Sequence, residues 1–306
     1  MECLRYEKKL YDGCSVSPFI YHKGICLMRD SETSDRKVKF AYVRDSVMDG
    51  SLDELKISIL TCVYRFGFLN SFLIDRALGD KTKGRNLTEA ISYLVKHGYL
   101  KKLYGNYGKS NTKYFYSVDK GVAQYLRIKD EVETSLYREQ IDLAYNYLSR
   151  SQFALAAEAS PMFRDSTLHT KLLLKRQGKE IDLGYSAVLR LKRTRIRLVA
   201  IPVRRFPLWW EEAVQRVRLA LCLEVRKKTV SLPVCICEDY EHMQELADEL
   251  TTNEKTAGKE VLFTTDAYTA SGDVAEIFFE VRDSMKVKDS SGKERCVAML
   301  KKVKLK

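Results

Sequence analysis

Residues 86–126 read NLTEAISYLVKHGYLKKLYGNYGKSNTKYFYSVDKGVAQYL, a stretch punctuated as a helix, a hairpin and a second helix. Asn86 followed three residues on by Glu89 is close to a capping box. Leu87, Ala90, Ile91 and Leu94 recur at helical spacing, and His97-Gly98 closes the segment. Tyr99 to Tyr104 and Thr112 to Val118 then read as strands, joined by the turn Gly105-Asn106-Tyr107-Gly108-Lys109-Ser110-Asn111. A helix follows from about Lys120 to Ile128. Upstream, Leu52, Leu55, Ile59, Val63 and Phe66 fall on one helical face and Gly67 stops it. Asn70 caps a short helix carrying Leu73, Ile74, Ala77 and Leu78, ended by Gly79. The connector to Asn86 is polar and basic: Asp80-Lys81-Thr82-Lys83-Gly84-Arg85.

Three helices followed by a β-hairpin is the order of a winged helix-turn-helix. With the phrases "HGYL" before the hairpin and "TKYFYSVDKG" after it, residues 51–130 resemble that family of DNA-binding domains. Between Lys81 and Val118 stand Lys81, Lys83, Arg85, Lys96, Lys101, Lys102, Lys109 and Lys113 against one acid, Glu89. The resemblance implies that the third helix enters the major groove and the hairpin lies along the phosphates. Arg85, Asn86 and Thr88 would then open the reading helix, with Arg suited to guanine and Asn to adenine. Helix N-termini also attract phosphate. Asn106, Lys109, Ser110 and Asn111 in the turn, with Lys113, suit contact to the nucleic-acid backbone, as do Lys81 and Lys83 in the connector; Tyr104 and Tyr107 suit packing on sugars. The alternative is a solvated hairpin tip on a domain that contacts protein.

Residues 1–50 read as a small β-rich arm, with alternating stretches at Phe19–Met28 and Lys37–Val43 and no evident task. Residues 131–150 read as a linker helix. Strands and helices then alternate: strands at Thr170–Lys175, Ile181–Leu189, Arg195–Val203, Ser231–Cys237, Glu260–Thr264, Glu276–Arg282 and Cys296–Val303, helices at Leu208–Val225 and Tyr240–Leu250. This predicts an α+β chain, its domain 131–306 an α/β domain with a mixed sheet. Ser231–Cys237, apolar on both faces, should be central.

The layout of 131–306 resembles the core of the PD-(D/E)XK nucleases. The whole chain is similar to the replication-relaxation proteins of bacterial mobile elements, which carry a winged helix ahead of such a core. That resemblance implies a role in plasmid replication, conjugative transfer or transcription control, with a replication or transfer protein as a possible second partner beside duplex DNA. An active nuclease of this kind needs an acid on the second strand and Glu-x-Lys on the third, the carboxylates holding Mg²⁺. Asp182 is the one candidate for the first acid. No acid occurs from Ala187 to Trp210, so no catalytic residue, metal or cofactor is expected. The same region carries Arg190, Lys192, Arg193, Arg195, Arg197, Arg204 and Arg205. Either these form a phosphate-attracting surface, Arg204 and Arg205 included, or they are strand-edge charges that discourage edge-to-edge pairing.

Composition agrees with two domains of ordinary size: 306 residues, 45 % of them hydrophobic, with a net charge of +12. The basic excess favours anionic partners, nucleic acid first and acidic membrane or protein second. Residues 1–30 lack the apolar core of a secretory signal, and no apolar run approaches the roughly 20 residues of a membrane span. A cytoplasmic protein without membrane partner is therefore expected. The eight cysteines are scattered without a Cys-x-x-Cys pair and read as reduced thiols. Cys235 and Cys237 should face the same side of a strand. His22, His97, His169 and His242 are isolated, and Trp209-Trp210 reads as packing of one helix. Rival readings are a Mg²⁺-dependent nuclease using Asp182 with Glu180 or Glu211, and an assembly adaptor.

Overall fold

A computed structural model of the chain describes residues 27–29, 38–106, 112–129, 144–174, 178–192, 194–205, 208–223, 229–271, 273–288 and 294–305. It divides into two compact units, Lys23–Ser151 and Gln152–Lys306. Helix, parallel strand and antiparallel strand are all present, so the chain is α+β.

The first unit contains β1 (Leu27–Arg29), α1 (Phe40–Met48), α2 (Glu54–Phe66), α3 (Ser71–Leu78), α4 (Leu87–Lys96), β2 (Leu100–Asn106), β3 (Thr112–Val118) and α5 (Lys120–Lys129). The caps expected from sequence are in place. The Asn70 side chain accepts from Leu73 N at 2.8 Å and Asn86 from Glu89 N at 3.1 Å. Asp53 does the same for α2, accepting from Lys56 N at 2.9 Å. α2 ends at Gly67, whose φ of 85° a side chain would disfavour. Ile59, Val63, Leu73, Ile74, Leu94, Leu103, Phe115 and Leu126 interlock as the core. The sheet order is β1-β2-β3, with Leu100 opposite Val118 and Asn106 opposite Thr112. Leu69, between α2 and α3, bridges to Tyr116 and so ties the helices to the hairpin.

The arm expected over 1–50 differs in its described part. Lys37–Val43 was read as alternating strand, yet Phe40–Met48 is a helix that buries Val43 and Ser46. Phe40, Val43 and Val47 are spaced three and four apart, and that period wins because α5 offers a surface for it. The segment leading into α1 approaches α5 so closely that a Cβ on Gly121 would lie 1.9 Å from the Val38 carbonyl oxygen. The Tyr99 hydroxyl donates to Ser46 Oγ at 2.7 Å, a second tie between α1 and the rest of the unit. Residues 131–143 of the expected linker helix lie outside the described residues. α6 (Ala144–Glu158) continues past the expected end, burying Phe153, Ala154, Ala156 and Ala157.

The second unit contains β4 (Phe163–Thr167), β5 (Lys171–Leu174), β6 (Lys179–Asp182), β7 (Ser186–Arg190), β8 (Arg195–Pro202), α7 (Trp209–Leu221), β9 (Thr229–Cys237), α8 (Tyr240–Thr252), β10 (Leu262–Thr265), α9 (Asp266–Ser271), β11 (Phe278–Lys288) and β12 (Glu294–Val303). Seven strands form one mixed sheet in the order β12-β11-β10-β9-β8-β7-β4. β8, β9 and β10 are parallel and the remaining pairs antiparallel. β9 holds the middle position, as its two apolar faces require. α7 packs on β8 and β9, and α8 on β9, β10 and β12.

Ile181–Leu189, read as one strand, is two. The chain breaks at Gly184, where φ is 82°. β6 pairs only with β5 in a separate two-stranded sheet, while β7 joins the main one. β4 was not expected from sequence: its residues Phe-Arg-Asp-Ser-Thr show no period of two, and a bulge falls at Arg164.

Candidate nucleic-acid interface

The sequence places Lys81, Lys83, Arg85, Asn86 and Thr88 in the connector and first turn of α4, and the structure leaves all five exposed. A 3-10 turn over Gly79–Thr82 shapes the connector. The Thr82 hydroxyl is held 2.8 Å from both an Asp75 carboxylate oxygen and the Gly79 carbonyl. Lys83 meets Asp80 at 2.6 Å and Arg85 lies 4.0 Å from Glu54, but these side chains are 49 % exposed or more. Ion pairs so exposed contribute little and are exchanged readily for another anion.

α4 buries Ala90, Ile91 and Leu94 and turns Thr88, Glu89, Ser92 and Lys96 outwards. Ser92 and Lys96 were not singled out as site residues from the sequence. Their signal was the spacing of four and eight from Thr88, which puts them on one helix face. Asn86 is the N-cap, so its carbonyl oxygen is committed to Glu89 N and its amide N–H groups remain as donors. A bidentate contact to adenine needs the same oxygen as acceptor. Asn86 therefore offers a single donor while the cap is intact.

The hairpin is less basic than its sequence. Lys101 sits 3.8 Å from the Asp119 carboxylate, with side chains 14 % and 4 % exposed, so this lysine is a structural partner. Asp119 lies one residue beyond the basic stretch Lys81–Val118. Lys102 lies over the Tyr114 ring at 3.8 Å. Asn106 and Lys113 hold strand positions opposite Thr112 and Gly105. Tyr107, Lys109, Ser110 and Asn111 lie outside the described residues, as do the side chains of Tyr104, Asn106 and Lys113.

Arg204 and Arg205 require a correction. Both follow β8 at the carboxyl end of the parallel strands, but neither is presented for binding. Arg204 pairs with Asp266 at 2.9 Å, with side chains 2 % and 0 % exposed, and donates to the carbonyls of Val203 and Ile236. Arg205 grips both oxygens of Asp239 at 2.8 and 3.2 Å and reaches Glu245 at 3.5 Å. Its backbone N–H donates to buried Glu238. Burial alone would raise the Asp239 carboxyl, but the Arg205 hydrogen bond and charge outweigh it and hold it below the usual range. Four acids distant in sequence thus consume two cations that look free in the chain.

His242 lies in the same network. Its Nδ1 accepts from Glu238 N at 3.3 Å, and the ring meets Trp209 edge-on at 4.4 Å. Burial, reinforced by Arg205 and Arg204, drives its pKa down to about 3, so the ring is neutral. Burial likewise pushes the Cys235 and Cys237 thiols well above their ordinary range, which leaves them unreactive.

Asp182, the candidate first acid, ends β6 in the small sheet. One oxygen lies 2.7 Å from His169 Nδ1 and the other accepts from Gly184 N at 2.7 Å. One oxygen thus serves the β6–β7 bend and the other ties it to the β4–β5 connection. Among the described residues no group of three or more His, Cys, Asp or Glu side chains is arranged to hold a metal ion. An open cavity of about 410 Å³ by the β11 bulge sets Lys259 and Arg282 against Glu260, Glu280 and Asp283 and so has no preference for anions. Among the described residues no helix is long and apolar enough to cross a membrane.

Comparison with known proteins adds no relative: no protein-family model, curated protein or solved structure matches the chain.

Proposed function

We propose that this chain is a duplex-DNA-binding accessory protein of a bacterial mobile element, acting in replication, conjugative transfer or transcription control. Its first unit is a winged helix, with α4 as the helix that enters the major groove and β2–β3 as the wing. The observation that carries the reading is the exposed cluster Lys81, Lys83 and Arg85 at the N-terminus of an amphipathic helix, with Thr88, Ser92 and Lys96 facing outwards. Cations there position a phosphate backbone, and the outward helix face meets base edges. The mobile-element assignment rests on the resemblance in layout and names a replication or transfer protein as a further partner. The second unit is a nuclease-like core used for binding and not for cleavage. In support, Asp182 sits in the small sheet apart from β8, and β8 itself carries no acid.

Selection of bound duplexes from random DNA tests the reading, because Arg85 and Asn86 have separable tasks. Arg85→Ala should relax preference by roughly 1–3 kcal/mol at one base pair. Asn86→Ala should lose the cap as well, costing about 1 kcal/mol of stability. Asn86→Asp should keep the cap, because a carboxylate also accepts from Glu89 N, yet bind DNA more weakly. Unchanged selection by Arg85→Ala would show that α4 is not docked in this way.

A further inference from the structure

Of the basic run from Arg190 to Arg205, the residues that remain available are not those at the carboxyl end of the parallel strands. Arg190 and Arg195 are directly opposite on the antiparallel pair β7–β8, and Arg197 follows two residues along β8. Register partners share a face, so the three guanidinium groups lie on one face of the sheet with Thr229 and Ser231 of β9 beside them. Arg190, Arg195 and the turn residue Lys192 are exposed, and Arg197 is half-buried. One row further along the same face, Ser186, Val199 and Pro233 are buried. The basic row is therefore the uncovered end of an otherwise covered surface.

Edge protection does not account for it. β8 lies between β9 and β7, and β7 lies between β8 and β4, so neither strand has an edge to guard. Neutralisation within the fold does not account for it either. Arg190, Lys192, Arg195 and Arg197 form no ion pair with any described residue. The acid in the same row, Asp165, is opposite Val188 and two strand spacings from Arg197, roughly 10 Å. Like charges directly opposite each other on a sheet destabilise it. Arg190 and Arg195 keep that arrangement, and local conflicts of this kind concentrate at functional positions. Arg197 Nε and Ser231 Oγ, at paired positions, are shielded from solvent with no hydrogen-bond partner among the described residues. Both have donor capacity unused.

We propose that this face of β7, β8 and β9 is a second nucleic-acid contact, binding the phosphate backbone of duplex DNA through Arg190, Arg195 and Arg197 with Lys192 at its border. Two residues along β8 advance about 6.6 Å, close to the roughly 6.8 Å rise of two nucleotides on one DNA strand. Arg195 and Arg197 can thus address phosphates two nucleotides apart along one strand. Phosphate contacts of this kind carry no base preference. The site rests on the reading of the chain as a duplex-DNA binder but not on which first-unit residues do the reading.

The test is anisotropy of a labelled duplex titrated with the full chain between 50 and 300 mM KCl. Arg190→Gln/Arg195→Gln/Arg197→Gln should make the log–log salt slope shallower by about 2.7, and Arg190→Gln/Arg195→Gln, which leaves the half-buried residue alone, by about 1.8. Sequence preference should stay as in the wild type, and the melting temperature of Arg190→Gln/Arg195→Gln should hold or rise, because the opposed like charges are removed. Wild-type binding with a slope unchanged in both variants would overturn this site and leave the first-unit reading standing. A slope reduced here but unaffected by Lys81→Gln/Lys83→Gln/Arg85→Gln would support this site and remove the other. Absence of wild-type binding at 50 mM would sink both. Polyglutamate binding as tightly as duplex of equal charge, and lost in the triple variant, would overturn the proposal in favour of an acidic protein partner.

Discussion

Replacing Arg204 with Met keeps the apolar stem and removes the guanidinium, leaving the Asp266 carboxylate, 0 % exposed, without its cationic partner. Removing one member of a buried ion pair typically costs about 3–5 kcal/mol, because the surviving charge stays desolvated. For a unit of this size each kcal/mol moves the melting temperature by about 2–4 °C, so the fall should be about 6–20 °C. The double variant Arg204→Met/Asp266→Asn removes both charges and should recover most of that loss. Differential scanning calorimetry of wild type, Arg204→Met, Asp266→Asn and the double variant closes the cycle and yields the coupling directly. Anisotropy at a temperature below the midpoints so measured then asks whether Arg204 serves DNA, and the double variant should retain the wild-type salt slope. A loss under 2 °C in Arg204→Met, or a double variant no better than the single, would refute the buried-pair account. A shallower slope in the double variant would return Arg204 to the binding surface.

Two further predictions concern stability. His242 is neutral in the folded protein, its pKa lowered to about 3 from an ordinary 6.5. The unfolded chain therefore binds a proton that the folded one refuses between those values. Stability should be fully present above pH 6.5 and fall as pH drops, by up to about 1.4 kcal/mol per unit from this residue. Urea denaturation between pH 7.5 and 4.5 should show that slope in the wild type and its loss in His242→Phe. An identical pH profile for the two proteins would contradict it. Gly121→Ala should destabilise the first unit by about 1–3 kcal/mol or more, because its Cβ meets the Val38 backbone. A chemical denaturation midpoint within error of wild type would show that the Val38 backbone and α5 are not so close.

What the sequence made legible was whatever depends on neighbours a few residues away. The caps Asn70 and Asn86, the stops at Gly67 and Gly79, and the apolar face of α4 are local signals, and each stands where its spacing put it. The central place of β9 was also readable, because only a strand covered on both faces can be apolar throughout. What was not legible depends on distant partners. Nothing near Arg204 announces Asp266, and nothing near Arg205 announces Asp239 or Glu245, so a run of arginines read as one surface divides into a buried half and an exposed half. Lys101 is withdrawn from the hairpin's charge by Asp119 in the same way. Lys37–Val43 alternated well enough to pass for a strand until α5 supplied a helix-shaped surface. β4 has almost no apolar pattern because it is an edge strand shaped by pairing with β7.

The central claim, that exposed cations of this chain bind duplex DNA, is tested most directly by the salt dependence of that binding. Lys81, Lys83 and Arg85 alone should contribute about −2.7 to the log–log slope, at about −0.9 for each phosphate neutralised. The account predicts a wild-type slope at least that steep between 50 and 300 mM KCl, made shallower by about 2.7 in Lys81→Gln/Lys83→Gln/Arg85→Gln. A slope near zero, or no binding at 50 mM, would contradict it.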